Sequence, residues 1–302
     1  MSEIRGALDW GKLAPLELRA KTVADGIYAG SHRSPRRGAG VEFGGHRAYV
    51  PGDDLRWLDR HALMRHGRLL VREFETETDR ALRLVLDGSA SMAYRSPQAP
   101  AAKLAFAAVL AAALTRIAVA GGDPVALDWI GGDEVRSLPA MGARQAFERV
   151  VAALESARPG GDLRVDNASI ERALAPIARR AGRGAVIVFF SDLVDLPETT
   201  LERFAALASR DRVVIAVRVL DPVEAEFPFE GTLRLRSSEG AQLVETDGGA
   251  ARAGYLEALE GIATTWQERL LQRGGRLVRA TTTSDAVVVV REILLAAEGV
   301  AV

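Results

Sequence analysis

Residues 82–92 read Leu82-Arg83-Leu84-Val85-Leu86-Asp87-Gly88-Ser89-Ala90-Ser91-Met92. An apolar stretch ends in an aspartate, and two hydroxyls follow at two-residue spacing. In extended chain, residues i, i+2 and i+4 point the same way. Asp87, Ser89 and Ser91 are therefore expected to converge just beyond the end of a strand. All three offer hard oxygen ligands, which suit Mg²⁺ or Mn²⁺ better than a soft metal. A second apolar run, Ala185-Val186-Ile187-Val188-Phe189-Phe190-Ser191-Asp192, also ends in an acid. Two carboxylates about one strand spacing apart, with two hydroxyls, can hold an octahedral Mg²⁺ whose remaining positions are water. The plainer reading makes Asp87 and Asp192 caps of loops or helix N-termini, with Ser89 and Ser91 as turn formers.

The elements that would position these residues alternate along the chain. Runs rich in Val, Ile and Leu (81–87, 124–130, 185–191, 212–219) read as strands. Ala-rich stretches (101–120, 143–156, 168–181, 198–209) between them read as helices. This alternation argues an α/β fold with a doubly wound, mostly parallel sheet covered on both faces. In such a sheet ligands gather at the carboxyl ends of the strands, where Asp87 and Asp192 fall. The domain is drawn over 81–225. Within 226–302, residues 231–244 read as a hairpin, 251–273 as a helix, 276–280 as a strand and 285–296 as a helix. That region either extends the sheet or adds a small cap.

Residues 1–80 form an N-terminal extension of different character. Leu13, Leu16, Val23 and Ile27 have helical spacing, with Asp9 as a candidate cap. A loop rich in Gly, Arg and Pro follows and suits neither a plain helix nor a plain strand. Between Ser31 and Phe74 there are nine Arg and no Lys against five acids, and all four His fall there. Arg pairs bidentately with carboxylate or phosphate. Arg36, Arg37, Arg47 and Arg56 are thus candidate partner contacts. Internal pairing with Glu42, Asp53, Asp54 and Asp59 is the bland alternative. A phosphate or nucleic-acid surface is a third, and would need Tyr49 and Trp57 beside exposed cations. His32, His46, His61 and His66 match no zinc spacing.

Composition narrows the function classes. At 302 residues and 48% hydrophobic the chain can bury a real core, and its net charge of −1 speaks against a globally basic nucleic-acid binder. Cysteine is absent, which excludes disulfides, thiolate metal sites and cysteine nucleophiles. The start, Met1-Ser2-Glu3-Ile4-Arg5, lacks the features of a signal peptide. The most apolar segment, Leu104 to Leu114, is interrupted by Thr115 and Arg116 and falls short of the roughly 20 residues of a bilayer span. A cytoplasmic protein with no membrane span is the expectation. No G-x-x-x-x-G-K-[ST] loop or G-x-S-x-G elbow occurs. A haloacid-dehalogenase-like phosphatase would need an acid where Ser89 stands. The chain reads as a non-enzyme, with a Mg²⁺-dependent hydrolase as an alternative.

The D-x-S-x-S run after an apolar strand resembles the metal-ion-dependent adhesion site of von Willebrand factor A domains, and Asp192 matches the distal aspartate of that pattern. The resemblance implies a sheet of von Willebrand A (Rossmann-like) type. It also implies a binding site without chemistry, in which Mg²⁺ or Mn²⁺ accepts a partner's Asp or Glu. The pattern's third element, a Thr after two glycines, is not matched. One alignment puts Asp162 there, after Gly160-Gly161; another puts Ala168. The string from Arg33 through Arg36-Arg37-Gly38, Arg47-Ala48-Tyr49 and Pro51-Gly52-Asp53-Asp54-Leu55-Arg56-Trp57-Leu58-Asp59 resembles the bacterial family called domain of unknown function 58. Leu69-Leu70-Val71-Arg72-Glu73-Phe74-Glu75 and Asp87 to Met92 match it too, while Arg60 departs from the family's usual Trp. That resemblance implies a protein-binding role beside AAA+ ATPases of the MoxR group and their protein clients, in chaperone-like assembly or metal-centre maturation.

Overall fold

A computed structural model describes residues 15–29, 42–48, 64, 69–75, 81–133, 135, 137–142, 145–163, 167–182, 184–194, 196–208, 212–236 and 243–298. The chain divides into two units, one of residues 35–79 and one of residues 1–34 with 80–302. In the smaller unit, β1 (Glu42–Ala48) and β2 (Leu70–Glu75) pair antiparallel, with a register irregularity between Phe43 and Gly45. The sequence suggested neither plain helix nor plain strand over 30–59; β1 lies within that stretch and pairs with β2 beyond it.

The larger unit is built on a six-stranded sheet of β3 (Leu82–Asp87), β4 (Val125–Ile130), β5 (Leu138–Met141), β6 (Val186–Ser191), β7 (Val213–Leu220) and β10 (Arg276–Thr281). From edge to edge the order is β10-β7-β6-β3-β4-β5. Numbered within this sheet alone and read from the β5 edge, that is 3-2-1-4-5-6, the doubly wound order. All neighbours are parallel except β5, which runs antiparallel to β4. β5 was not foreseen: it has four residues, and Pro139 sits inside it, which an edge strand tolerates. The chain direction reverses its winding between β3 and β6. Sites form at that switch point.

Both sheet faces are buried, which is why the central strands are apolar without alternation. Leu84 and Leu86 of β3, Val188 and Phe190 of β6, and Ile215 and Val217 of β7 enter one core. Val85, Ile187, Phe189, Val214 and Ala216 enter the other. On the first face lie α1 (Leu16–Ala29), α2 (Lys103–Gly121), α3 (Gln145–Glu155) and α8 (Ala286–Ala297). The second is covered by α4 (Asn167–Arg180), α5 (Glu198–Leu207) and α7 (Gly248–Leu271). Helix α1 buries Leu16, Ala20, Val23, Ala24 and Ile27, one helical stripe, against α2 and α8. It therefore belongs with the sheet unit. The C-terminal region completes the sheet with β10 and α8. A short helix α6 (Pro222–Glu226) and an antiparallel hairpin of β8 (Thr232–Arg236) and β9 (Leu243–Asp247) lie between β7 and α7.

Helix α2 falls close to the 101–120 stretch read as helical, but it corrects one expectation. Its apolar character does not end at Thr115, and over 19 residues it is long and apolar enough by length and composition to cross a membrane. Thr115 continues the helix because its hydroxyl donates back to the Ala111 carbonyl at 2.8 Å. Arg116 lies over the Phe147 ring at 5.7 Å. Residues 103–115 are buried all round, as in a core helix.

Candidate functional site

Asp87 ends β3, and its cross-strand neighbour one step past the Leu86–Phe190 pair is Ser191, not Asp192. The Ser191 hydroxyl donates to Asp87 Oδ2 at 2.6 Å, and the Ser89 amide donates to Asp87 Oδ1 at 2.9 Å. Both carboxylate oxygens are thus held, and the chain turns back over the strand end. That turn places Ser89 Oγ 3.0 Å from Ser91 Oγ. Asp87 and Ser89 are buried at 1% exposure, whereas Ser91 is partly exposed. Approach to the hydroxyl pair is therefore over Ser91. The turn is laced to its surroundings by backbone: Gly88 N donates to Ile130 O at 2.8 Å, Gly160 N to Gly88 O at 2.8 Å, and Ala90 N to Gly161 O at 3.2 Å.

Asp192 begins the loop after β6 and is also buried. Its Oδ1 accepts from the Val194 amide at 3.1 Å. Its Oδ2 accepts from the ammonium of Lys103, the first residue of α2, at 2.8 Å. The same ammonium reaches Glu224 Oε1 at 2.7 Å, and lies 5.9 Å from the Tyr94 ring centre. Glu224 is held in turn through the capping box of α6, where its Oε2 accepts from the Asp221 amide at 2.9 Å. Asp221 directly follows β7 and caps α6, as Asp192 directly follows β6. Its carboxylate accepts from Val223 N at 2.9 Å and, across the sheet end, from Ser96 N at 2.8 Å. The loop after β3 is thereby fastened to the end of β7.

The charges respond to burial. Desolvation raises the Asp87 carboxyl to about 7, the negative charge of Asp192 adds to this, and the hydrogen bonds from Ser191 and Ser89 oppose it. Burial works against the charged form of Lys103, but Asp192 and then Glu224 outweigh it and hold the ammonium protonated. Burial also raises the Glu224 carboxyl, with Lys103 opposing. Tyr255 is pushed up to about 12, mainly by burial and then by the charge of Glu224.

The other sequence candidates are placed as follows. Asp162 is half-buried and follows Gly161, whose carbonyl is bonded to the serine turn. Ala168 is exposed near the start of α4. It lines a cleft of about 310 Å³ with Ile170, Glu171, Thr199 and Arg203 that includes none of the candidate ligands. Among the described residues, no three acids or histidines gather closely enough to hold one ion. A cation here would have at most two carboxylates and would rely on hydroxyls and water. Arg47 and His46 lie on β1, in register with Val71 and Arg72. Arg36, Arg37, Arg56, His32, His61 and His66 lie outside the described residues, as does Asp9. Lys103, Ser191, Asp221 and Glu224 escaped the sequence reading. One signal was available for Lys103: the chain has 39 Lys plus Arg but only three Lys, and one of them heads an otherwise apolar helix just after the serines.

The chain matches the family model "Protein of unknown function DUF58" over residues 45–261. Uncharacterized protein Rv1480 of Mycobacterium tuberculosis is 32% identical over 253 residues, spanning 81% of this chain and 76% of its own. Uncharacterized protein Mb1516 of Mycobacterium bovis gives the same figures. Among solved structures, the conserved hypothetical protein BatB of Bacteroides thetaiotaomicron is similar at 18% identity and TM-score 0.46, covering 72% of this chain and 99% of that one. A von Willebrand factor type A protein of Catenulispora acidiphila is similar at 13% and TM-score 0.39, covering 76% and 44%. At these scores the structural likenesses carry no inference about function. The strand order, the antiparallel edge strand and the Asp-x-Ser-x-Ser turn at the switch point define a domain of von Willebrand A type. The chain belongs to the DUF58 family.

Proposed function

We propose that the protein is a non-enzymatic protein-interaction module that engages its partner through a divalent cation, Mg²⁺ or Mn²⁺. Ser89 and Ser91 supply two hydroxyl ligands. Asp87 and Asp192 supply negative charge behind them, and water and a partner's Asp or Glu complete the shell. One observation carries this reading, the 3.0 Å separation of the two hydroxyl oxygens. Adjacent corners of an octahedron with metal–oxygen bonds of about 2.1 Å are about 3.0 Å apart. Without an ion the same spacing is an ordinary hydrogen bond, so the turn needs no rearrangement to accept one. A donor set of hydroxyls, carboxylate and water matches how Mg²⁺ is commonly held, with one or two carboxylates and retained waters.

From the family resemblance, the partner proposed is an AAA+ ATPase of MoxR type or its protein client. The test is capture of the purified ATPase on immobilised protein. Capture is expected in Mg²⁺ or Mn²⁺, reduced in chelator and reduced by Asp87→Ala. Undiminished capture in excess chelator rejects the cation clamp.

A further inference from the structure

Lys103 is buried at 1% exposure, yet its ammonium is shared between two carboxylates that come from different strand ends, Asp192 after β6 and Glu224 after β7. A lone buried ammonium would shed its proton or destabilise the fold. With two partners at 2.8 and 2.7 Å it is stable, and it remains paired if one of them leaves. Both oxygens of Asp192 already accept a hydrogen bond, Oδ1 from Val194 N and Oδ2 from Lys103. A divalent ion at the serine pair therefore competes with the ammonium for the charge of Asp192, whether it reaches the carboxylate directly or through water. The residue type fits this role. Lysine is a compact point charge that can rotate between acceptors, whereas arginine's planar fork would fix both at once. In a chain that otherwise uses arginine for most of its positive charge, the exception stands at this position.

We propose that Lys103 is a positioning residue that sets the cation affinity of the serine turn, acting as a resident cation that competes with the divalent ion for Asp192, while Glu224 retains the ammonium when Asp192 is drawn to the ion. This rests on the cation reading of the site and deepens it, naming what keeps affinity low until a partner adds its own ligand. While Lys103 is bound to Asp192, the ammonium offsets part of the carboxylate's attraction for a nearby divalent ion. That attraction grows when the ammonium shifts to Glu224. The two neighbours of the ammonium therefore act in opposite senses. Removing Lys103 frees Asp192 for the ion; removing the charge of Glu224 leaves the ammonium more firmly on Asp192.

The experiment is calorimetric titration of Mn²⁺ into the full chain, for wild type, Lys103→Met and Glu224→Gln, with thermal melts in chelator and in Mn²⁺. Lys103→Met is expected to bind Mn²⁺ about ten-fold tighter or more, the scale expected for losing a cation a few ångströms away. It should melt lower than wild type in chelator, with the buried Asp192 and the half-buried Glu224 left without their cation, and recover most of that loss in Mn²⁺. Glu224→Gln is expected to bind Mn²⁺ several-fold more weakly. A purely structural ion pair would weaken binding in both variants. Shifts of the same sign, or no shift in either, overturn the proposal while wild-type Mn²⁺ binding leaves the cation site standing. If Lys103→Met does not fold, Lys103→Gln is titrated in its place, where tighter Mn²⁺ binding is expected and unchanged or weaker binding overturns the proposal. No Mn²⁺ binding by wild type and no effect of Ser89→Ala removes the cation site and this proposal together.

Discussion

Replacing Asp87 by asparagine removes one charge from a fully buried position while keeping its shape. The carboxyl stands at about 7 against an ordinary 3.8, first through burial and then through the charge of Asp192. Between these values the folded protein holds a proton that the unfolded chain has released. The group's contribution to stability is therefore fully present below about pH 4 and is lost as pH rises through about 7. The slope is about 1.4 kcal/mol per pH unit, so wild type should lose about 3 kcal/mol from this group between pH 5 and pH 8. Asparagine does not titrate, and its carbonyl can still accept from the Ser89 amide. Urea unfolding in chelator at pH 5, 6, 7 and 8, for both proteins, gives the difference curve, in which groups common to both cancel. The variant should gain on wild type steadily with pH, reaching an advantage of about 3 kcal/mol at pH 8 relative to pH 5. A gap that stays constant across the range would show that the Asp87 carboxyl is not held in its neutral form, and the account of the site's electrostatics would fail.

Two further outcomes follow from packing. Gly88→Ala would set a Cβ 2.9 Å from Gly131 O and 3.1 Å from Gly132 Cα, both backbone atoms that cannot rotate away. A cost of about 1–3 kcal/mol is expected in unfolding experiments, and a full-stability alanine variant would refute the tight crossing of these loops. Phe204 is fully buried, stacked on Phe189 at 4.2 Å and 6.2 Å from Trp266. Phe204→Ala should cost about 3–5 kcal/mol and alter Trp266 emission in the folded state; a loss under about 1 kcal/mol would contradict the packing described.

The central strands were legible because they are buried on both faces. Val186 to Phe190 is apolar at every position, and only an interior parallel strand tolerates that. The same simplicity made the two strand-ending aspartates stand out. What could not be read depends on chain segments far apart in sequence. Asp221 and Glu224 look like the start of a short helix, which they are; their second contacts, to Ser96 and Lys103, come only from the sheet's closing. Lys103 itself looks like a solvated lysine at a helix head. Ser191 was passed over in favour of Asp192 because period-two reasoning does not say which residue of a strand end faces its neighbour. β5 carries too few residues, and a proline, to register as a strand. The apolar stretch of helix α2 was read as ending at Leu114 because Thr115 and Arg116 were taken as interruptions, although a threonine can satisfy its hydroxyl on its own helix.

The hydrogen bond from Ser96 to Asp221 spans 125 positions of the chain, and this separation bears on how the molecule is made. While the polypeptide leaves the ribosome, the serine turn and the loop after it emerge long before β7 and the carboxylate just beyond it that anchors that loop. Asp192 and Glu224, the counterparts of Lys103, also follow it by 89 and 121 residues. A nascent chain arrested before residue 192 would expose the Asp-x-Ser-x-Ser turn without any of these anchors, and one arrested before residue 221 would still lack Asp221 and Glu224. Competence to engage another molecule therefore arrives late in translation, as a property of the nearly finished domain.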